Sequence, residues 1–183
     1  IRFKNGYVNL FDAHHVIAAG TKAYRLSQLQ HLNVPDGIVV NKDFKGSKAA
    51  LKIVGEIFTV RSSALNEDNA ESSHAGLNLS IVPSSKKTWL SDIEKVFQSY
   101  GRDKDEVVLL QKYIEPLFAG VVFSRHPTWG GTILIEYGSG LASKRMDGSE
   151  NVKQVVLERA TGSVVFSSDD QLLNYVPQIY DLL

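Results

Sequence analysis

The chain has 183 residues and a mass of 20.2 kDa, enough for one well-packed domain or two small lobes and too few for a multi-domain assembly. Hydrophobic residues make up 43% and charged residues 22%, which excludes disordered, collagen-like and coiled-coil classes. Twenty basic residues balance twenty acidic ones and there is no cysteine, so a broad nucleic-acid-binding surface, a disulfide framework, a thiolate nucleophile and a Cys-based metal site are all excluded.

In chain order, residues 8–11 and 37–40 read as strands, rich in β-branched and aromatic side chains. Between them residues 22–30 predict a helix, with Ala23, Leu26 and Leu29 on one face. A short helix is expected at 49–53, then strands at 57–60 and 77–82, the second stopped by Pro83. Ser91 and Glu94 have capping-box spacing ahead of an apolar stripe of Ile93, Val96, Phe97 and Tyr100, so a helix is expected to begin at Ser91. Strands follow at 107–110, 120–123, 133–137, 155–157 and 164–166, and a closing helix at 169–175. The polar run at 101–106 is the expected lobe boundary, giving lobes 1–105 and 106–183 and an α+β class with mostly antiparallel sheets and flanking helices.

Several groups along this order can carry chemistry. Gly20-Thr-Lys22 opens a helix, where unbonded N–H groups and a mobile ammonium suit phosphate; a cap followed by a solvated lysine is the alternative. Val60-Arg-Ser-Ser-Ala64 leads a strand into Arg61 and two hydroxyls, a combination that can donate to polyphosphate or form an ordinary surface loop. His74 is read as a loop histidine rather than a phosphoryl acceptor, having only Glu71 nearby in sequence. Gln111, Lys112, Tyr113 and Ile114 run from a strand into a Pro-terminated linker, a plausible hinge where a purine could meet backbone donors and acceptors. Arg125 is a second cation able to reach phosphate, or a surface charge. Glu136 ends an apolar strand and needs a partner, either Mg²⁺ or a basic side chain.

The order of these motifs carries more than any one of them. Ala19-Gly-Thr-Lys-Ala-Tyr-Arg-Leu-Ser-Gln-Leu29 and Asn33-Val-Pro-Asp-Gly-Ile-Val-Val40 are followed by Phe58-Thr-Val-Arg-Ser-Ser-Ala-Leu-Asn-Glu-Asp68 and Ser73-His-Ala-Gly76. Then come Gln111-Lys-Tyr-Ile114, Ala119-Gly-Val-Val-Phe-Ser-Arg-His-Pro127 and Ile135-Glu-Tyr-Gly-Ser-Gly-Leu141. This series resembles, over roughly residues 5–165, the nucleotide-binding domain of the pyruvate phosphate dikinase and phosphoenolpyruvate synthase family.

The resemblance implies an ATP-grasp fold binding ATP between two lobes with Mg²⁺ on its phosphates, and phosphorylation of a histidine on a separate domain, in cis or in trans. By position, Lys22, Arg61 and Arg125 would hold phosphates, and Gln111, Lys112, Tyr113 and Ile114 would line the adenine pocket. Glu136 would hold Mg²⁺ or the ribose side, with Glu150 or Asp147 as a further metal ligand. The chain departs from the family in its short connector between Val40 and Phe58 and at Gly140-Leu-Ala-Ser143, where the family carries a carboxylate. Those departures suit the alternative of a degenerate, non-catalytic regulatory or interaction module. A cytoplasmic piece of a longer chain, with no nucleic-acid or membrane partner, is expected because no apolar run approaches about 20 residues, no signal layout is visible and Met is absent from position 1.

Overall fold

The computed structural model describes residues 2–16, 18–64, 79–100, 106–140 and 152–183. The chain divides into two units, Ile1–Ile114 and Glu115–Leu183, and each is taken by itself.

The first unit is built around a sheet of β1 (Tyr7–Asn9), β2 (Gly37–Val40), β3 (Ile57–Ser63), β4 (Ser80–Ser85) and β5 (Val107–Lys112), in the order β1-β2-β5-β3-β4. Every pairing is antiparallel. The continuous apolar run of β5 requires cover on both faces, and it is the central strand. On one face Ile38, Val40, Phe58, Val60, Val108 and Leu110 form a core closed by α2 (Lys48–Val54) and α3 (Trp89–Ser99). On the other, Val39, Val107 and Leu109 pack with Leu10, Ala13, Ala19 and Ala23 of the 3-10 segment Leu10–His15 and of α1 (Thr21–Ser27) with its approach. Each fully buried Val, Leu or Phe in these layers contributes about 1.5–3 kcal/mol relative to exposure.

Local chemistry sets the ends of these elements, and several differ from expectation. The expected strand at 8–11 stops at Asn9, whose Oδ1 accepts from the Phe11 N–H at 3.0 Å and starts the 3-10 turn. The expected helix at 22–30 spans Thr21–Ser27. α2 is capped by Ser47, whose Oγ accepts from the Ala50 N–H. The capping box at Ser91 is not formed: α3 begins at Trp89, and Ser91 Oγ donates back to the Thr88 carbonyl at 2.7 Å. Trp89, Ile93, Val96 and Phe97 are its buried apolar stripe. Pro83 does not end a strand either; it lies within β4, an edge strand, where a missing N–H is tolerated.

The expected lobe boundary at 105/106 would separate β5 from its neighbours. Because β5 pairs with both β2 and β3, the division falls after Ile114 instead.

The second unit is a meander of β6 (Phe118–Phe123), β7 (Thr132–Ser139), β8 (Lys153–Glu158) and β9 (Val164–Ser167), antiparallel throughout and in that order. Ile133, Ile135, Tyr137, Val155 and Leu157 face Leu172 and Val176, the latter opening α4 (Val176–Tyr180). Residues 169–175, expected to be helical, begin instead with an Asx-type turn in which Asp169 Oδ1 accepts from the Gln171 N–H at 2.7 Å. A 3-10 turn, Leu173–Tyr175, follows. The molecule is thus α+β with two antiparallel sheets.

Candidate functional site

Strand alternation decides which predicted residues share a surface. In β3, Phe58 and Val60 point into the α2/α3 core, so Thr59, Arg61 and Ser63 lie on the α1 face; in β5, Leu109 and Gln111 lie on that same face. Arg61 pairs with Leu109 and Thr59 with Gln111, making Arg61 and Gln111 diagonal neighbours at roughly 7–8 Å. Lys22, on α1, donates from Nζ to the Ser62 carbonyl at 3.0 Å, one residue beyond Arg61. Lys22, Arg61 and Gln111 are therefore brought to one face of the first sheet. Arg61 is half-buried and makes no ion pair with a described residue.

The helix start at Gly20 is engaged internally rather than open to an anion. The Thr21 N–H donates to the Ala64 carbonyl and the Ala23 N–H to Ser63 Oγ, each at 3.0 Å. Ser63 Oγ in turn donates to the Ala19 carbonyl at 3.3 Å. The Ser63 hydroxyl, which could have faced phosphate or lain in a surface loop, is thus a buried latch that ties α1 to β3. Gly20 permits the close approach: its φ is 76°, and a Cβ there would sit 1.8 Å from the Ser63 carbonyl oxygen.

The adenine-pocket expectation also changes in detail. The N–H groups of Lys112 and Tyr113 already donate to the carbonyls of Asp36 and Ile57, at 2.8 and 3.1 Å. The Gln111 amide is buried, and its Nε2 donates to the Pro35 carbonyl at 3.0 Å. What this stretch offers is a lining: Lys112 and Ile114, with Phe11, Val34, Pro35 and Asp36, border an open groove of about 450 Å³ within the first unit. Its aromatic, aliphatic and charged walls suit a flat heteroaromatic group.

In the second unit Glu136 lies on β7 opposite Gln154, whose Nε2 donates to Glu136 Oε1 at 2.8 Å. The carboxylate is half-buried, and among the described residues it has no ion pair and no hydrogen bond at Oε2. Arg125 is not beside it. Arg125 adjoins His126, whose N–H donates to the Thr132 carbonyl, four residues along β7 from Glu136 and so about 13 Å away. Glu150, Asp147 and His74 lie outside the described residues.

Among the described residues of the second unit, Lys153, Asp169 and Tyr137 form an electrostatic cluster. Lys153 Nζ donates to Asp169 Oδ2 at 2.5 Å, and the Tyr137 hydroxyl donates to Oδ1 at 3.0 Å. Lys153, the Gln171 amide and that hydroxyl hold the Asp169 carboxyl below its ordinary range, outweighing the upward effect of desolvation. Burial, then the adjacent carboxylate, pushes the Tyr137 phenol up to about 12.

Among the described residues no three His, Asp or Glu side chains form a metal-binding cluster. Mg²⁺ bound through substrate phosphates needs only one or two carboxylates, and Glu136 is a carboxylate of that kind. Thr59 and Gln154, which flank Gln111 and Glu136, were not singled out from sequence. Thr59 could have been found from its period-2 relation to Arg61; Gln154 has no local signal, because it meets Glu136 only through strand register. In comparisons with known proteins, no family model matches the chain and no curated protein matches it significantly.

Proposed function

We propose that the chain is the Mg-ATP-binding part of a phosphotransferase with an ATP-grasp fold, passing a phosphoryl group from ATP to a histidine nitrogen on a separate domain or partner protein. The reading is carried by one observation: Lys22, Arg61 and Gln111, separated by up to 89 positions in sequence, share one face of one sheet. The motif series in which those residues stand adds the reaction class.

In this reading Lys22 and Arg61 neutralise phosphate charge, the ammonium held in place by the Ser62 carbonyl and the guanidinium offering a planar fork. Lys112 and Ile114 cover the base, and Glu136, oriented by Gln154, supplies a carboxylate oxygen. Mg²⁺ held there would supply a divalent positive charge. Phosphoryl transfer asks the protein for positioning and charge neutralisation more than for covalent participation, so the absence of a nucleophile among these residues is no obstacle.

A second reading, a regulatory or interaction module without catalysis, is favoured by the occupied N–H groups at Thr21 and Ala23, which remove the helix start as a phosphate cradle. Calorimetric titration with ATP, with and without Mg²⁺, separates the two. The catalytic reading expects Mg-dependent binding and, at one hundred times Kd, about 2.7 kcal/mol of protection against unfolding. Lys22→Ala and Arg61→Ala are each expected to weaken binding about tenfold or more. Absence of binding at millimolar ATP leaves the module reading, and binding indifferent to both substitutions overturns the assigned site.

A further inference from the structure

We infer a second anion site, independent of the nucleotide reading, at the tip of the β6–β7 hairpin, where Arg125 and Arg159 take a small phosphate dianion. The two arginines line a cleft of about 330 Å³ with His126, Gly130, Gly131 and Thr132, all within the second unit.

The sequence places Arg125 and Arg159 34 positions apart, and the meander joins them: β8 pairs with β7, and the Arg159 N–H donates to the Gly131 carbonyl at 2.9 Å. Neither guanidinium has a side-chain hydrogen bond or an ion pair with a described residue. The adjacent carboxylate, Glu158, is engaged elsewhere, accepting from Thr161 Oγ1 at 2.6 Å. Two positive charges thus share one concavity without a counter-ion among the described residues, and a dianion is the ligand that neutralises both.

The rest of the lining fits a small polar anion. At Gly130 and Gly131 a Cβ would meet nothing within 4 Å, so bare backbone faces open space, and Gly131 has a φ of 76°. His126 is fixed: its Nδ1 accepts from the Thr128 and Trp129 N–H groups, each at 3.1 Å, and its ring stacks on Trp129 with centroids 5.2 Å apart. Two donors at Nδ1 require that nitrogen to be unprotonated, which puts the proton of the neutral ring on Nε2 and makes it a donor. A phosphate in this cleft would meet two guanidinium forks and an imidazole N–H.

The test is a titration of the chain with inorganic phosphate at constant ionic strength, followed by amide NMR. The expected result is saturable shifts at Gly130, Gly131 and Thr132, and binding weakened about tenfold by Arg125→Gln and by Arg159→Gln. Both arginines are exposed, so the melting temperature of each variant without phosphate should equal that of the parent. Shifts confined to α1 and β3 would place phosphate at Lys22 and Arg61 and overturn the proposal. So would binding unchanged in both variants, or no saturation at tens of millimolar phosphate. A parallel titration with glycerol phosphate identifies the source: tighter binding assigns an esterified phosphate, weaker binding the free ion, and either supports the site.

Discussion

Tyr137 shows how a single side chain links packing to pH. Its ring is buried among Ile133, Ile135 and Val155, and its hydroxyl must leave that core bonded, which Asp169 allows. With the unfolded phenol near 10 and the folded one near 12, the neutral form is favoured in the native state. The stabilisation is complete below pH 10 and is lost as pH rises through 12, because the unfolded chain gives up its proton first. A spectrophotometric titration should therefore contain a tyrosinate with a midpoint near 12 that is absent from Tyr137→Phe. Asp169 acts in the opposite range, stabilising the fold above its unfolded value of 3.8 and ceasing to do so as pH falls through its lowered native value.

At the scale of elements, the helix α1 is held less by its seven residues than by its junction with β3. A helix this short is marginal in water, and three hydrogen bonds at Ala19, Thr21 and Ala23 anchor it to Ser63 and Ala64. Gly20→Ala would place a methyl group against the Ser63 carbonyl at a positive φ, and should cost about 3 kcal/mol, lowering the melting temperature by roughly 6–12 °C in a scan. Lys22 would move with the helix, so under the proposed nucleotide reading Mg-ATP protection should fall in the same variant. Sequence made β2, β5 and β7 legible because their apolar runs are long and dense. It could not give the Ser63 latch, which joins residues 40 and 44 positions apart, and a hydroxyl looks the same whether it serves a ligand or a helix. α3 was misplaced by two residues for a different reason: the Ser91–Glu94 spacing satisfied the capping rule, while Trp89 carried the apolar stripe one turn earlier.

Over the whole molecule, each unit has its own buried cores, and the boundary matters more than its nine-residue displacement suggests. Val107, Val108, Leu109 and Leu110 are all at most 2% exposed and contribute to both cores of the first unit. A fragment of residues 1–114 is expected to unfold cooperatively with native-like circular dichroism, whereas a fragment of residues 1–105 lacks the central strand and should show no cooperative transition. Two equal profiles would place the boundary elsewhere. The polar run at 101–106 misled because a charged connector inside a domain and one between domains have the same composition; only the pairing of β5 distinguishes them. Lys22, Arg61 and Gln111 stand in motifs contiguous in sequence, whereas the nearness of Arg159 to Arg125 depends on a meander that places the start of one hairpin turn beside the end of another.

The position of β5 also bears on how the protein is made. It is last in chain order among the strands of its sheet yet lies in the middle, so β1 with β2 and β3 with β4 can each pair beforehand while keeping one bare edge. During synthesis at about 5–20 residues per second, the stretch from β3 to β5 takes a few seconds to emerge. Through that interval β2 and β3 present unpaired N–H and C=O groups with the same strand polarity. The nascent chain is thus exposed to direct pairing of β2 with β3, within one molecule or between neighbours on a polysome. The arrival of β5 between them removes both bare edges at once.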